Sequence, residues 1–207
     1  NLSRERHCKK AFYISNNEKW EKSGILKPYA ILLYADVVKS CAFIEPEKEV
    51  EYSKKMVSLL KIATEAQPKF SRTWFFLGSF TNVIAAREEN PDNKNALLQE
   101  AIDYLKKALE LSPGRQESLV EMGKNYLIAQ DYEAMKKVGQ DCIAIDPRFA
   151  ECYWHLGLAQ IFLGDQENGK KNIDLAIKNG YNYNPMYKQL AIAYMSQENW
   201  QGAVIAY

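Results

Sequence analysis

Leu119-Val120-Glu121-Met122-Gly123-Lys124-Asn125-Tyr126 and, 34 residues on, Tyr153-Trp154-His155-Leu156-Gly157 are two copies of one pattern, a bulky residue followed one helical turn later by a bulky–small pair. A third copy, Tyr187, Leu190, Ala191 and Tyr194, comes after another 34 residues, and Pro113 to Pro147 is the same step. Trp74-Phe75-Phe76-Leu77-Gly78 is a further copy upstream. A fixed period of this length is that of helix–turn–helix hairpins, each too small to bury its apolar face alone and therefore stacked on its neighbours. A second set of small residues keeps the same time: Ala101, Gly169 and Ala203 share one position, and Ala108, Cys142 and Ala176 another. Gly or Ala where two helices cross lets the backbones approach, while the bulky residue beside it fills the groove.

These residues resemble the tetratricopeptide (TPR) repeat, in which a W-x2-L-G-x2-Y first helix is followed by a second helix with small residues and a closing Pro. The resemblance implies an all-α, TPR-type α-solenoid, a right-handed superhelix of antiparallel helix pairs. About eleven helices are expected, over 3–15, 26–43, 47–66, 70–87, 95–111, 115–129, 132–145, 149–163, 166–179, 184–197 and 200–207, with stops at Pro46, Pro68, Pro113, Pro147 and Gly180. Residues 1–207 read as one solenoid: 1–67 are divergent N-terminal helices, 68–113 a repeat with an 11-residue insertion, 114–147 and 148–181 regular repeats, and 182–207 an incomplete one. The surplus lies around Ala86 to Leu98, where the polar run Arg87 to Asn95, broken by Pro91, predicts a solvated loop. Met135 and Gly139 stand where the second helix of the 114–147 repeat should carry Ala, which predicts looser packing there.

Composition agrees with a soluble helical chain: 47% of the residues are hydrophobic and 26% charged, with no alternating β-branched runs. The net charge of +1 supplies no field for nucleic acid. The apolar run Tyr29 to Val38 is interrupted by Asp36 and too short to span a bilayer. Catalytic and metal-binding groups are scarce. His7 and His155 are the two histidines, far apart in the chain, and no phosphate loop, nucleophile elbow or C-x2-C pair is present. No catalytic, cofactor-binding or metal site is assigned, and His155 reads as a partly exposed packing residue rather than a ligand.

The runs Ala108 to Gln116, Trp74 to Phe80 and Ala176 to Asn182 also resemble the TPR tails of bacterial O-antigen ligase/polymerase-like membrane proteins. That resemblance implies an extracytoplasmic segment, periplasmic or at the cell surface, with the cytoplasm as the alternative. The glycan chemistry of such proteins lies in a membrane part with no counterpart in these residues. In an extracytoplasmic setting Cys142 with Cys152, on either side of Pro147, and Cys8 with Cys41 are candidate disulfides. The alternative is that Cys142 serves as a small hydrophobe at a small-residue position.

What remains is a groove. The inner face of a TPR array is lined by first-helix positions 2, 5, 9 and 12, here Arg72, Phe75, Ser79 and Asn82; Glu117, Val120, Lys124 and Leu127; Glu151, Trp154, Leu158 and Ile161; and Lys188, Ile192 and Met195. The aromatics among them are either anchors for a partner segment or core side chains of a tight superhelix. The Lys/Asn clamp for a C-terminal carboxylate is missing: the corresponding pairs are Phe75/Ser79, Val120/Lys124 and Trp154/Leu158. The sequence both opens and stops on a second helix, so Ala11, Phe12, Ala203 and Tyr207 are expected to need cover. Two functions follow: a non-enzymatic scaffold that holds a protein or peptide in its groove as the tail of a larger envelope protein, or a structural protein whose ends stack into an oligomer or filament.

Overall fold

A computed structural model describes residues 6, 8–9, 27–41, 45–181 and 184–206, the side chains of residues 184 and 185 excepted. All ordered structure among them is helical, and the fold class is an all-α, TPR-type solenoid. Ten α-helices are present among the described residues: α1 Lys27–Cys41, α2 Glu49–Ala66, α3 Ser71–Arg87, α4 Pro91–Leu111, α5 Gln116–Ala129, α6 Tyr132–Ile145, α7 Ala150–Phe162, α8 Gln166–Lys178, α9 Asn184–Ser196 and α10 Trp200–Ala206. The helix expected over 3–15 lies largely outside the described residues, apart from helical residues 6, 8 and 9.

The helix starts explain themselves in sequence. Asp131 accepts a hydrogen bond from Ala134 N at 3.0 Å and caps α6; Asp165 accepts one from Asn168 N at 3.3 Å and caps α8; Asn199 accepts one from Gly202 N at 2.8 Å ahead of α10. Each side chain satisfies a donor that a helix N-terminus otherwise leaves unpaired. The preceding residues Gln130, Gly164 and Glu198 have φ of 59°, 88° and 57°. That left-handed residue lets the next amide turn back, so that Asp131, Asp165 and Asn199 N each bond the carbonyl of Tyr126, Gln160 and Tyr194 at 2.9 Å. Both features recur at the 34-residue step.

The chain divides into two compact units, Asn1–Pro113 and Gly114–Tyr207. In the first, α2 packs on α1, α3 on α2 and α4 on α3, and α1 also touches α3. Ile31, Ala35, Met56, Leu60, Leu77, Ala101, Leu105 and Ala108 are sealed from solvent. Gly78 marks a crossing, since a Cβ there would stand 3.1 Å from the Ala101 carbonyl oxygen. The expected loop over 87–95 is corrected here: α4 begins at Pro91, because Asn90 accepts from Asn93 N at 3.0 Å and Pro91 fits the first helical position. Most of the surplus residues therefore lengthen α4 to 21 residues.

In the second unit α5 to α8 pack each on the next, α10 packs on α9, and the first helices α5, α7 and α9 also meet in series. Met135, Trp154, Leu158, Ile161, Ile173, Leu190 and Ala193 belong to one buried cluster. The expectation of looser packing along α6 does not hold. Met135 is fully buried, and a Cβ on Gly139 would be 3.0 Å from the Leu156 Cα, so this glycine permits a close approach of α7.

Candidate functional site

Lys124 occupies position 9 of the first helix α5, on the side facing α7. Its ammonium lies 3.1 Å from Glu121 Oε1, one turn back, and 3.4 Å from Glu151 Oε1 in the first turn of α7. Tyr181, in the connection from α8 to α9, donates its hydroxyl to the same Glu151 oxygen at 2.9 Å. Three segments distant in sequence thus converge on one charge cluster. Burial opposes the charge on Lys124, yet the two carboxylates outweigh it and hold the ammonium well above the ordinary lysine range.

His155, next to Trp154 on α7, lies against Gly123 of α5, where a Cβ would come within 3.0 Å of its Nδ1. It is buried rather than partly exposed, which corrects the sequence expectation; the missing side chain at Gly123 makes the room. Burial drives its pKa down to about 4, so the ring is neutral near pH 7. Neither ring nitrogen has a hydrogen-bond partner among the described residues. Between these groups is a cavity of about 320 Å³, walled by Lys124, Glu151, Trp154, His155, Tyr181, Met186 and Gln189. The Trp154 ring meets Tyr181 and Tyr187 edge to face, with both centroid distances 5.8 Å.

The groove positions read from sequence divide into distinct groups. Trp154 is 1% exposed, and Leu158 and Ile161 are fully buried, because α9 lies across them; these three are core. Val120 is also buried, and Leu127 packs half-buried on the same cluster. At the equivalent positions of α9, Lys188 is exposed and Ile192 is 48% exposed. In the first unit Phe75, Ser79 and Asn82 are buried. Lys39 of α1 covers two of them, its ammonium 4.5 Å from the Phe75 ring centre and 2.6 Å from Ser79 Oγ. Arg72 is half-exposed, paired with Asp36 and lying over the Phe76 ring at 5.6 Å. Lys124 and Glu151 are thus the groove residues that retain both charge and access to a cavity. Glu151 is the position-2 groove residue of α7, whereas Tyr181 and Glu121, which complete the cluster, are not groove positions in the repeat pattern. The in-phase capping residues Asp131, Asp165 and Asn199 were readable in the sequence; the Tyr181 contact was not, since it comes from a connection without repeat register.

Both cysteine pairs are disulfides, Cys8 with Cys41 and Cys142 with Cys152. The second joins the end of α6 to the start of α7. Beside it the buried Gln116 side chain donates to the carbonyl oxygens of Cys142 at 2.7 Å and Asp146 at 2.9 Å, satisfying acceptors at the end of α6. Of the residues expected at uncovered ends, Ala203 is buried on α10, while Ala11, Phe12 and Tyr207 lie outside the described residues. Among the described residues no group of three or more His, Cys, Asp or Glu is placed to hold a metal, and no helix is long and apolar enough to cross a membrane.

The tetratricopeptide repeat family model matches residues 94–115 and 150–179. No curated protein sequence matches the chain. Among solved structures it is similar to a thermophilic TPR protein of Thermus thermophilus, with TM-score 0.66 and 12% identity over 94% of this chain and 98% of that one. It is also similar to YrrB, described as a TPR protein with an unusual peptide-binding site, with TM-score 0.57 and 12% identity over 91% of this chain and 89% of that one. MamA of Desulfovibrio magneticus RS-1 follows, with TM-score 0.55 and 18% identity over 85% of this chain and 90% of that one. At such identities the likeness speaks for the fold. The hairpin period, the in-phase caps, the glycine crossings and the family match lead to one conclusion: this chain carries tetratricopeptide repeats.

Proposed function

We propose that the chain is a non-enzymatic protein-interaction scaffold that takes a segment of a partner protein along the concave first-helix face of residues 114–207. The observation that carries this reading is the cavity at Lys124, where charged, aromatic and amide groups converge beside an otherwise sealed core. The peptide-binding description of YrrB, a protein of like fold, supports it. The likeness to the tails of O-antigen ligase/polymerase-like proteins belongs to the same proposal, and with it the reading of residues 1–207 as one solenoid outside the cytoplasm. Two disulfides favour an oxidising compartment. A photo-crosslinking residue at Gln189, compared with one at Lys171 on the outer face, tests the groove in cells. Crosslinks to a discrete partner from position 189 alone support the reading; equal or no crosslinking from both positions removes it.

A second reading, self-association into an oligomer or filament, is favoured by α10. Val204 and Ile205 are 78% and 80% exposed, where α6 and α8 carry Lys136 and Lys137, and Lys170 and Lys171. Apolar residues at positions that elsewhere face water mark a surface to be covered. Sedimentation over a range of concentrations tests it: a size that grows with concentration, and that Val204→Lys with Ile205→Lys abolishes, supports self-assembly.

A further inference from the structure

We infer that copies of the chain join head to tail, the Leu33 side of α1 in one copy seating on the Ile192 side of α9 in another, an inference that rests on the self-association reading above. The register of α1 comes from its ion pair. Asp36 pairs with Arg72, position 2 of α3, just as Lys124, position 9 of α5, pairs with Glu151, position 2 of α7. Asp36 is therefore position 9 of α1. The sealed small residue Ala35 is then position 8, where α3, α5 and α7 carry Gly78, Gly123 and Gly157, and Leu33 is position 6.

Position 6 is turned to the first helix of the preceding hairpin. His155 holds it in α7 and is buried against Gly123 of α5; Phe76 holds it in α3 and is 1% exposed. Leu33 is 68% exposed, and Tyr29, one turn away on α1, is 49% exposed with its ring 6.1 Å from that of Phe70. Positions 9 and 12 are turned the other way, to the first helix of the following hairpin. In α7 they are Leu158 and Ile161, fully buried under α9, whereas in α9 they are Ile192 and Met195, both 48% exposed. Lys170 of α8 lines a crevice shared with α9 and α10, so Val204, 34 residues later on α10, is turned to the same following side, and it is 78% exposed.

Each face lacks the helix that the other supplies. A second copy is the occupant because the two faces are the two halves of one kind of junction, the stacking of first helix on first helix that runs through α5, α7 and α9. Leu33 and Tyr29 on one side, and Ile192, Met195 and Val204 on the other, are uncharged side chains left in water where the matching positions inside the stack are covered. Unlike faces meet in such a contact, so it repeats from copy to copy, whereas a two-fold dimer would pair each face with itself.

The test is sedimentation of the full chain, of Leu33→Lys, of Ile192→Lys and of an equal mixture of these two variants. The unaltered chain is expected to grow beyond a dimer as concentration rises. Each variant should keep its helicity and stay monomeric at concentrations about tenfold above those at which the unaltered chain assembles. The mixture should stop at a dimer of one each, because Leu33→Lys keeps an intact α9 side and Ile192→Lys an intact α1 side, and every further junction would bury an introduced lysine. Assembly of either variant like the unaltered chain, a mixture that stays monomeric or grows past a dimer, or an unaltered chain that stops at a dimer overturns the inference and leaves self-association to another contact. An unaltered chain that is monomeric throughout overturns both. Should lysine cost helicity, Leu33→Gln and Ile192→Gln take its place with the same outcomes.

Discussion

Gly157 of α7 and Gly169 of α8 meet backbone to backbone: a Cβ on Gly157 would stand 2.6 Å from the Gly169 carbonyl oxygen, and one on Gly169 would stand 2.8 Å from that of Gly157. Each glycine is required by the other, because backbone cannot step aside as a side-chain tip can. Gly157→Ala and Gly169→Ala are each expected to destabilise the chain by about 1–3 kcal/mol through overpacking. Urea denaturation reads this directly, and unchanged midpoints for both would refute the crossing.

Trp154→Ala should act as a core deletion. With the side chain 1% exposed under α9, its loss is expected to cost about 3–5 kcal/mol. A fall in melting temperature without partner present is the outcome; a fully stable variant that merely loses partner binding would return Trp154 to the groove.

Burial of neutral His155 makes stability depend on pH. Unfolded, the ring takes a proton below about pH 6.5, while in the fold it resists one until about pH 4, with burial the main cause and Lys124 adding to it against the opposing pull of Glu151 and Glu121. The unfolded state therefore binds more protons in that window, and stability falls by up to about 3 kcal/mol as pH drops from 6.5 to 4. Asp146 acts lower down: held near 2 by hydrogen bonds from Arg148, it loses its contribution only as pH falls below its ordinary value of 3.8. Unfolding midpoints measured across pH 4–7 should flatten in His155→Gln.

The Cys142–Cys152 bond closes a loop of 10 residues. Cross-linking a loop of that length is worth about 2–3 kcal/mol in the chain-entropy account. Cys142→Ala with Cys152→Ala should lose about that much, and mass spectrometry of the unreduced wild type should find two hydrogens fewer for each disulfide. Two free thiols at these positions would contradict the pair.

Gln130 holds φ of 59° where the next repeat has Gly164 at 88°. Glycine meets no Cβ penalty there, so Gln130→Gly should stabilise by about 0.5–1 kcal/mol, read as a rise in denaturation midpoint. A loss of stability would show that the Gln130 side chain has an unrecognised role.

The hairpins are legible in the sequence: the 34-residue clock, the prolines and the small residues locate nearly every described helix to within a few residues. Those are local matters, settled by backbone geometry, capping and the spacing of apolar side chains, and Asp131, Asp165 and Asn199 were in the same clock. The run Arg87 to Asn95 misled because its polarity resembles a loop, while Asn90 and Pro91 form a helix start within it.

What the first-helix positions do depends on how the helices stack. Trp154, Leu158 and Ile161 are core because α9 crosses them, whereas Lys188 and Ile192, at matching positions one repeat later, are exposed. The repeat pattern is the same in both; the difference is which helix lies on top. The cluster of Lys124, Glu121, Glu151 and Tyr181 likewise exists because α5, α7 and the α8–α9 connection are brought together by stacking. Stacking is a contact between repeats, so its consequences are written in no single repeat's sequence.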